Sequence, residues 1–316
     1  MILEDMTTTT PLRTALQGSR ALTILAGVMS AIFLISIVGL VADDRLLGGQ
    51  PIWLKPAKFS VSLGVYGFTL AWLMAYLRRG RRVAQWSGIV IAAATYLEMA
   101  IIVGQVIRGR VSHFNEATLL DMVLWRSLGG LTVALSLGTI VIAVLLWRHG
   151  MPDRAGTWAI RLGIVLLMGG FLEAFLMVIP TPDQIALAER GLTTNMGAHA
   201  VGVPDGGPGM PLTGWSTTGG DLRIGHFVGL HGLQAILLFT MLVTWLVKDA
   251  VRRTHLVFVF AFAYGGLFVL VTWQALRAQP LLAPDSATIT ALLALAAATA
   301  LAATVSWLRP LQAAGR

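Results

Sequence analysis

Eight long apolar segments limit what this chain can fold into. They cover residues 21–42, 57–77, 83–107, 117–147, 157–179, 222–247, 255–277 and 287–308. Each is about as long as the 20 residues that a helix needs to cross the hydrocarbon layer of a membrane. With 56% hydrophobic and 12% charged residues, the composition differs from that of soluble globular proteins. We expect an all-α integral membrane protein whose eight transmembrane helices form one domain over residues 21–308.

The connections between the segments alternate in charge, and this alternation predicts the orientation. The segment 1–20, the short connections, Arg161 and the tail 309–316 hold fourteen of the 23 Lys and Arg residues but four of the 15 Asp and Glu residues. Basic loops stay on the cytoplasmic side of a membrane. We therefore expect both termini in the cytoplasm of a bacterial-type plasma membrane. The net charge of +8 then points to the lipid bilayer as a partner and not to nucleic acid.

The first apolar segment has two interpretations. It follows Arg13 and Arg20, as the apolar core of a signal peptide would. The run from Ala21 to Ala42 is longer than the usual core of about 7 to 15 residues, so we expect a retained first helix, with a cleaved signal as the alternative.

A short internal similarity raises the question of a duplication. Lys58-Phe59, with Gly64 after them, resembles His226-Phe227 with Gly232. Gln105 and Arg108 likewise resemble Gln274 and Arg277 in type and spacing. Two parallel repeats of four helices would explain both matches, since membrane proteins use such repeats. Chance similarity between apolar sequences is the alternative.

The connection 180–221 is the longest between two segments, and we expect it on the outer side. Thr181-Pro182-Asp183-Gln184 predicts the start of a short helix with a capping box, which Gly191 can end. From Thr193 to Gly220 there are eight glycines and three prolines. We expect this part to be irregular and to act as a lid or to be disordered. Elsewhere, Asn115, Asp221 and Asp285 are expected helix caps.

Polar residues inside the segments fall toward the expected outer side. Glu98 lies about 14 Å, and Glu173 about 10 Å, before the outer end of its segment at the rise of an α-helix. Asp121 comes early in the fourth segment. Charges at such depth are costly and indicate a functional site, so we expect these three carboxyl groups to act as catalytic acids or bases. The alternative is structural ion pairs, Glu98 with Arg126 and Glu173 with Lys58 or Arg277.

Four of the six histidines lie toward the same side: His113, His199, His226 and His231. His226 and His231 are about 140° apart around a helix, so they would meet different neighbours. Histidines beside carboxylates fit haem ligation, transition-metal coordination or proton relay. We expect metal ligation by His226, His231, Glu98 and Glu173. The expected cofactor-binding residues are His226, His231, His113, Arg108, Arg126, Arg223 and Gln234.

These observations leave three functions open. The first is a metal- or haem-binding membrane protein, with oxidoreductase activity as one form of this function. The others are a proton-coupled transporter or channel, and a non-catalytic sensor or assembly partner. An eight-helix plan with outward histidines is similar to haem A synthase. That family places histidines on helices of both halves, whereas only the sixth segment carries them here. The chain has no cysteine, which excludes thiolate chemistry.

Overall fold

The computed structural model describes residues 10–191 and 196–308, most of which are helical. The described helices are α1 (Pro11–Gly18), α2 (Arg20–Ala42), α3 (Leu54–Met74), α4 (Arg81–Ile107), α5 (Leu119–His149), α6 (Arg154–Val178), α7 (Pro182–Glu189), α8 (Leu222–Leu230), α9 (Gly232–Leu246), α10 (Ala250–Leu276) and α11 (Ser286–Leu308). Two small antiparallel pairs join β1 (Leu46–Leu47) to β2 (Gln50–Pro51) and β3 (Ala200–Val201) to β4 (Gly220–Asp221).

Seven of these helices are long and apolar enough to cross a membrane, and α8 with α9 make an eighth candidate when counted as one span. The protein is therefore an α-helical, multi-pass membrane protein. A bend of 47° separates α8 from α9, and it was not predicted from the sequence. It occurs at His231, where ψ is 3°. Gly232 follows, and a Cβ there would lie 2.5 Å from the Cβ of Leu166.

Side-chain caps fix most of the helix starts. Asp221 and Asp285 accept hydrogen bonds from backbone N–H groups of the helices that follow, as expected. The capping box of Thr181 and Gln184 is also confirmed. The expected cap at Asn115 is wrong, because α5 begins later and Thr118 caps it.

The long helices pack in two sets. In the N-terminal half, α2 packs on α3 and α4, and α4 packs on α5. In the C-terminal half, α6 packs on α8, α9 and α10, and α10 packs on α11. Small residues allow the close contacts, as in other membrane bundles. A Cβ at Gly170 of α6, for example, would lie 2.4 Å from the backbone N of Leu230.

The bundle has two chemically different ends. The loop end carries residues 43–53, 108–118, 179–191, 196–221 and 277–285, and the basic end carries the short connections 75–80, 150–153 and 247–249. Helix α1, which was not predicted, lies at the basic end, where Gly18 closely approaches the backbone of Ala71. Residues 1–9 of the expected N-terminal segment, and the tail 309–316, fall outside the described residues.

The long loop is folded over residues 196–221, which we call the cover loop. Pairing of β3 with β4 brings its ends together. Between them, Gly209 pairs with Ser216, and Met210 donates its N–H to the carbonyl of Trp215 at 2.8 Å. Apart from these short pairs, residues 196–220 consist of turns and bends, so the expectation of irregular structure is confirmed for them. Residues 193–195 of the expected irregular part lie outside the described residues. Backbone hydrogen bonds hold several of the described turns in place.

Candidate functional site

Three cationic side chains lie together beneath the cover loop. Lys55 and Lys58 are three residues apart at the start of α3, which places them on one face, and Arg223 lies in the first turn of α8. Lys58 Nζ donates to the carbonyl of Thr213 at 2.6 Å. Arg223 Nη2 donates to the neighbouring carbonyl of Gly214 at 2.7 Å. One turn of the cover loop is thus bonded to a helix from each half.

The positive charge of this basic cluster is only partly balanced. Arg223 is paired with the buried Asp221 at 2.5 Å. In the part of the chain that the structure describes, neither Lys55 nor Lys58 has a carboxylate within 4.0 Å. The charges of Asp205 and Asp221 act on Lys55 and Lys58 respectively, but without a direct pair. A half-buried ammonium group without a paired carboxylate is costly, so a further negative charge beside the cluster would lower this cost.

His113 lies directly beside Lys55. Its Nδ1 is 3.0 Å from Lys55 Nζ, and because an ammonium group can only donate, Nδ1 accepts. Burial, followed by the charges of Lys55 and His199, holds the pKa of His113 well below its usual value. The imidazole is therefore neutral at pH 7, with its proton on Nε2.

His199, from the cover loop, forms a pair with Asp205. Nδ1 lies 2.9 Å from the carboxylate, which also accepts from the backbone N–H groups of His199 and Ala200. Burial acts to raise the pKa of Asp205, but these hydrogen bonds and the charge of His199 lower it to about 2. Burial lowers the pKa of His199, and its bond to Asp205 opposes this only in part. Neutral His199 then donates through Nδ1 and keeps a lone pair on Nε2.

Phe114 closes the space beside the two histidines. It packs edge-on against Trp125 and His199, with ring centroids 4.9 Å apart in both contacts. It also lies in one apolar cluster with Leu222 and Ala275 of the C-terminal half. This contact joins the two halves at the loop end, next to both histidines.

Glu173 lies below the cluster in α6. Its Oε1 accepts a hydrogen bond from Thr272 at 3.1 Å, and its Oε2 has no partner among the described residues. The carboxyl group lies against Gly225, where a Cβ would be 2.3 Å from Oε1. His226, one residue on, bonds through Nδ1 to the carbonyl of Gly170 at 2.7 Å. A buried carboxyl oxygen without a partner is unusual and needs an explanation.

Glu98 belongs to a different place, between α4 and α5, where it accepts from Thr132 at 2.7 Å. The alternative of structural ion pairs is wrong for both glutamates. Arg126 pairs with Glu116, and Arg277 pairs with Asp285. Over the described ranges, neither Glu98 nor Glu173 forms an ion pair.

Asp121 is at the centre of a balanced network. Its carboxylate accepts from Arg108 Nη1 at 2.8 Å, Gln105 Nε2 at 3.0 Å and the hydroxyl of Thr118 at 2.8 Å. The group is fully buried. These contacts use both carboxylate oxygens and stabilise the connection between α4 and α5. Asp121 and Arg108 thus have structural roles here.

The four expected metal ligands are spread over the bundle. Glu98 lies in the N-terminal half and Glu173 in the C-terminal half, and His231 stacks on Phe227 at the bend. Within residues 10–191 and 196–308, no three His, Asp or Glu side chains form a group that could hold a metal ion. Gln234 is buried, and its Oε1 accepts no hydrogen bond from the described residues.

Sequence reasoning found Arg223 and His113 but missed Lys55, and it left Lys58 and His199 out of the site. One signal for Lys55 was available. It lies 168 positions before Arg223, at the same offset that relates Lys58 to His226.

No family model, curated protein or solved structure matches this chain, so its function must be inferred from this geometry.

Proposed function

We propose that the protein is an eight-span membrane protein, built from two parallel repeats of four helices, that binds a small anionic molecule at the loop end. The basic cluster carries this proposal. Its two lysines have no carboxylate partner, and they lie beside two histidines that are neutral at pH 7. An anion would supply the missing charge and accept hydrogen bonds from Lys55 and Lys58.

The starts of α3 and α8 support the duplication. Leu54-Lys55-x-x-Lys58-Phe59 corresponds to Leu222-Arg223-x-x-His226-Phe227 at an offset of 168 residues. The two helices also begin at corresponding residues and pack on the first long helix of their half. On this proposal the basic cluster brings together equivalent helix starts from both repeats.

The ends of α4 and α10 give independent support at an offset of 169 residues. Gln105 Nε2 donates to the carbonyl of Val111, and Gln274 Nε2 donates to the corresponding carbonyl of Pro280. A residue with positive φ follows each helix at the same spacing, Gly109 at 65° and Ala278 at 59°. This shared polar helix end supports the duplication, with chance similarity as the alternative.

The charge distribution supports an outward-facing site in a bacterial-type plasma membrane. The basic end carries the excess of Lys and Arg that marks cytoplasmic loops. Both termini would then be cytoplasmic, and the cover loop would control access from outside.

Haem belongs to the proposed class of ligands because its propionates are anions. Arg223 and the lysines would hold the propionates, and a histidine with Nδ1 bonded to a carbonyl or carboxylate presents Nε2 to a metal. His199, His226 and His231 all have this arrangement. Optical absorption and metal analysis of the purified protein test this version, which fails if neither a haem band nor a stoichiometric metal is found.

Anion binding itself is tested by calorimetric titration of the purified protein with succinate, inorganic phosphate and the uncharged succinamide. We expect at least one anion to bind, succinamide not to bind, and Lys55→Gln to weaken the anion about tenfold or more. Lys248→Gln, an exposed lysine at the basic end, is the matched control and should bind as the wild type does. Equal binding by wild type and Lys55→Gln would reject the site.

A second candidate, proton-coupled transport, is favoured by the unbonded Oε2 of Glu173. A buried carboxyl group at membrane depth can take up and release a proton during transport. Proteoliposomes containing a pH-sensitive dye should show anion-dependent proton movement that Glu173→Gln abolishes. Glu189→Gln, on the exposed face of α7, should retain it. Unchanged proton movement in Glu173→Gln would remove this candidate.

A further inference from the structure

An apolar groove lies at the basic end, between α5 and α6. Its volume is about 180 Å³, and its walls include Val144 and Trp147 of α5 and Ile164 and Met168 of α6. An apolar cavity of roughly 150 Å³ holds a benzene-sized molecule. The groove is therefore large enough for a stretch of hydrocarbon chain.

The groove opens sideways toward the surroundings of the bundle. Val144 is 42% exposed and Trp147 is 41% exposed, whereas Ile164 on the inner wall is buried. Because α5 and α6 are spans, this opening faces the bilayer. An acyl chain can enter from the membrane without crossing a polar surface.

The rim of the groove is positively charged. Arg148 lines it, and Arg161 lies nearby, bonded through its guanidinium to the carbonyl of Trp147 at 3.3 Å. Arg154 begins α6 at the same end. None of the three has a carboxylate within 4.0 Å in the described ranges. The nearby Asp153 accepts a hydrogen bond from the backbone N–H of Gly156.

Tryptophans mark the depth at which this rim lies. The Arg161 guanidinium stacks over the rings of Trp147 and Trp158, at 5.7 and 5.3 Å from their centroids. Tryptophan is enriched where lipid head groups meet hydrocarbon. The tryptophans therefore indicate that the membrane interface lies near these arginines, at the end of the apolar groove.

We infer that this groove binds one acyl chain of an anionic phospholipid, whose head-group phosphate is held by Arg148 and Arg161. Basic sites between transmembrane helices are suited to anionic head groups. The lipid would lie beside the contact of α5 with α6, which joins the two halves. This site is separate from the basic cluster at the loop end and does not depend on its function.

Native mass spectrometry of the full chain in mild detergent tests the inference, with phosphatidylglycerol, phosphatidylcholine and glycerol phosphate as probes. We expect phosphatidylglycerol to be retained, and the other two to be lost under the same conditions. Val144→Trp, which fills the mouth of the groove, and Arg148→Gln should each reduce retention about fivefold or more.

Two matched variants control for general effects. Val133→Trp places the same bulk on an exposed position of α5 outside the groove, and Arg82→Gln removes an exposed arginine at the same end. Both should retain phosphatidylglycerol as the wild type does. Equal retention by all variants, or binding of glycerol phosphate as tight as that of the lipid, would overturn the inference. So would a dimer that Val144→Trp dissociates, since a second copy would then occupy the groove.

Discussion

Two sets of charged side chains at the loop end differ in how their charges are met. Around Asp121, every donor faces an acceptor, and the arginine and carboxylate neutralise each other. In the basic cluster, Lys55 faces a histidine and Lys58 faces a carbonyl, without a carboxylate. The first arrangement stabilises the fold, whereas we propose that a bound anion completes the second. Whether the charges of a cluster are paired therefore distinguishes a structural network from a binding site better than the number of its polar residues does.

Asp121→Asn gives the largest expected effect on stability. The asparagine NH₂ group would face donors from Arg108, Gln105 or Thr118 in a fully buried place. Losing a buried charged acceptor, beside an arginine that is 36% exposed, should destabilise the protein by about 2–4 kcal/mol. Unfolding in mixed micelles measures this difference. Anion affinity of the folded variant should stay unchanged.

Asp285→Asn is the matched control, because Asp285 pairs with Arg277 at the corresponding helix start. Its side chain is 39% exposed, so solvent already screens the pair, and asparagine also caps helices well. A clearly smaller loss than that of Asp121→Asn is expected. If both variants lose the same free energy of unfolding, burial does not strengthen the Asp121 network. Asp121 would then not differ from an exposed ion pair.

The sequence was sufficient to predict an α-helical, multi-pass membrane protein, because apolar length is a property of single segments. Local caps such as Thr181 with Gln184 were predictable for the same reason. The bend at His231 was not predicted, and the close approach of Gly232 to Leu166 beside it is a contact between separate helices. The partners of Asp121 could not be predicted either, because they include groups sixteen positions apart.

Only part of the candidate site could be predicted from the sequence. Depth along each helix placed Glu98, Glu173 and Asp121 in one layer, but depth says nothing about position around the bundle. The structure separates Glu98 from Glu173 and gives Asp121 three bonded partners. Lys55 was missed because a lysine near the end of an apolar segment is usually a surface residue. Its missing counter-ion becomes visible only when the cover loop is in place.

The next effect is a fall in stability in mild acid, caused by the histidines of the basic cluster. Burial lowers the pKa of His113 and of His199 below the usual 6.5. Below about pH 6.5 the unfolded chain then binds protons that the folded chain does not, so stability is full above this pH and falls toward the lowered values. Each histidine can contribute a slope of at most about 1.4 kcal/mol per pH unit. Asp205 acts in a separate window, between 3.8 and about 2.

Apparent Tm between pH 7.5 and 5 measures this slope. His113→Gln should reduce it, since glutamine accepts from Lys55 but does not titrate. His255→Gln, at the basic end, should leave the slope as in the wild type. An unchanged slope in His113→Gln would mean that the pH response arises elsewhere and that the cluster is better hydrated than its burial indicates.

The smallest effect on stability is expected for Lys55→Gln. Its sign shows whether the basic cluster differs from the structural network around Asp121. Glutamine can still bond to His113, and the change removes a half-buried ammonium that lies near Lys58 and Arg223. Functional sites often carry such destabilising groups. Stability should therefore be unchanged or rise by up to about 1 kcal/mol, while anion affinity falls. A loss of 2 kcal/mol or more in unfolding experiments would show instead that Lys55 is a structural group like Asp121. The basic cluster would then be a second structural contact between the N-terminal and C-terminal halves.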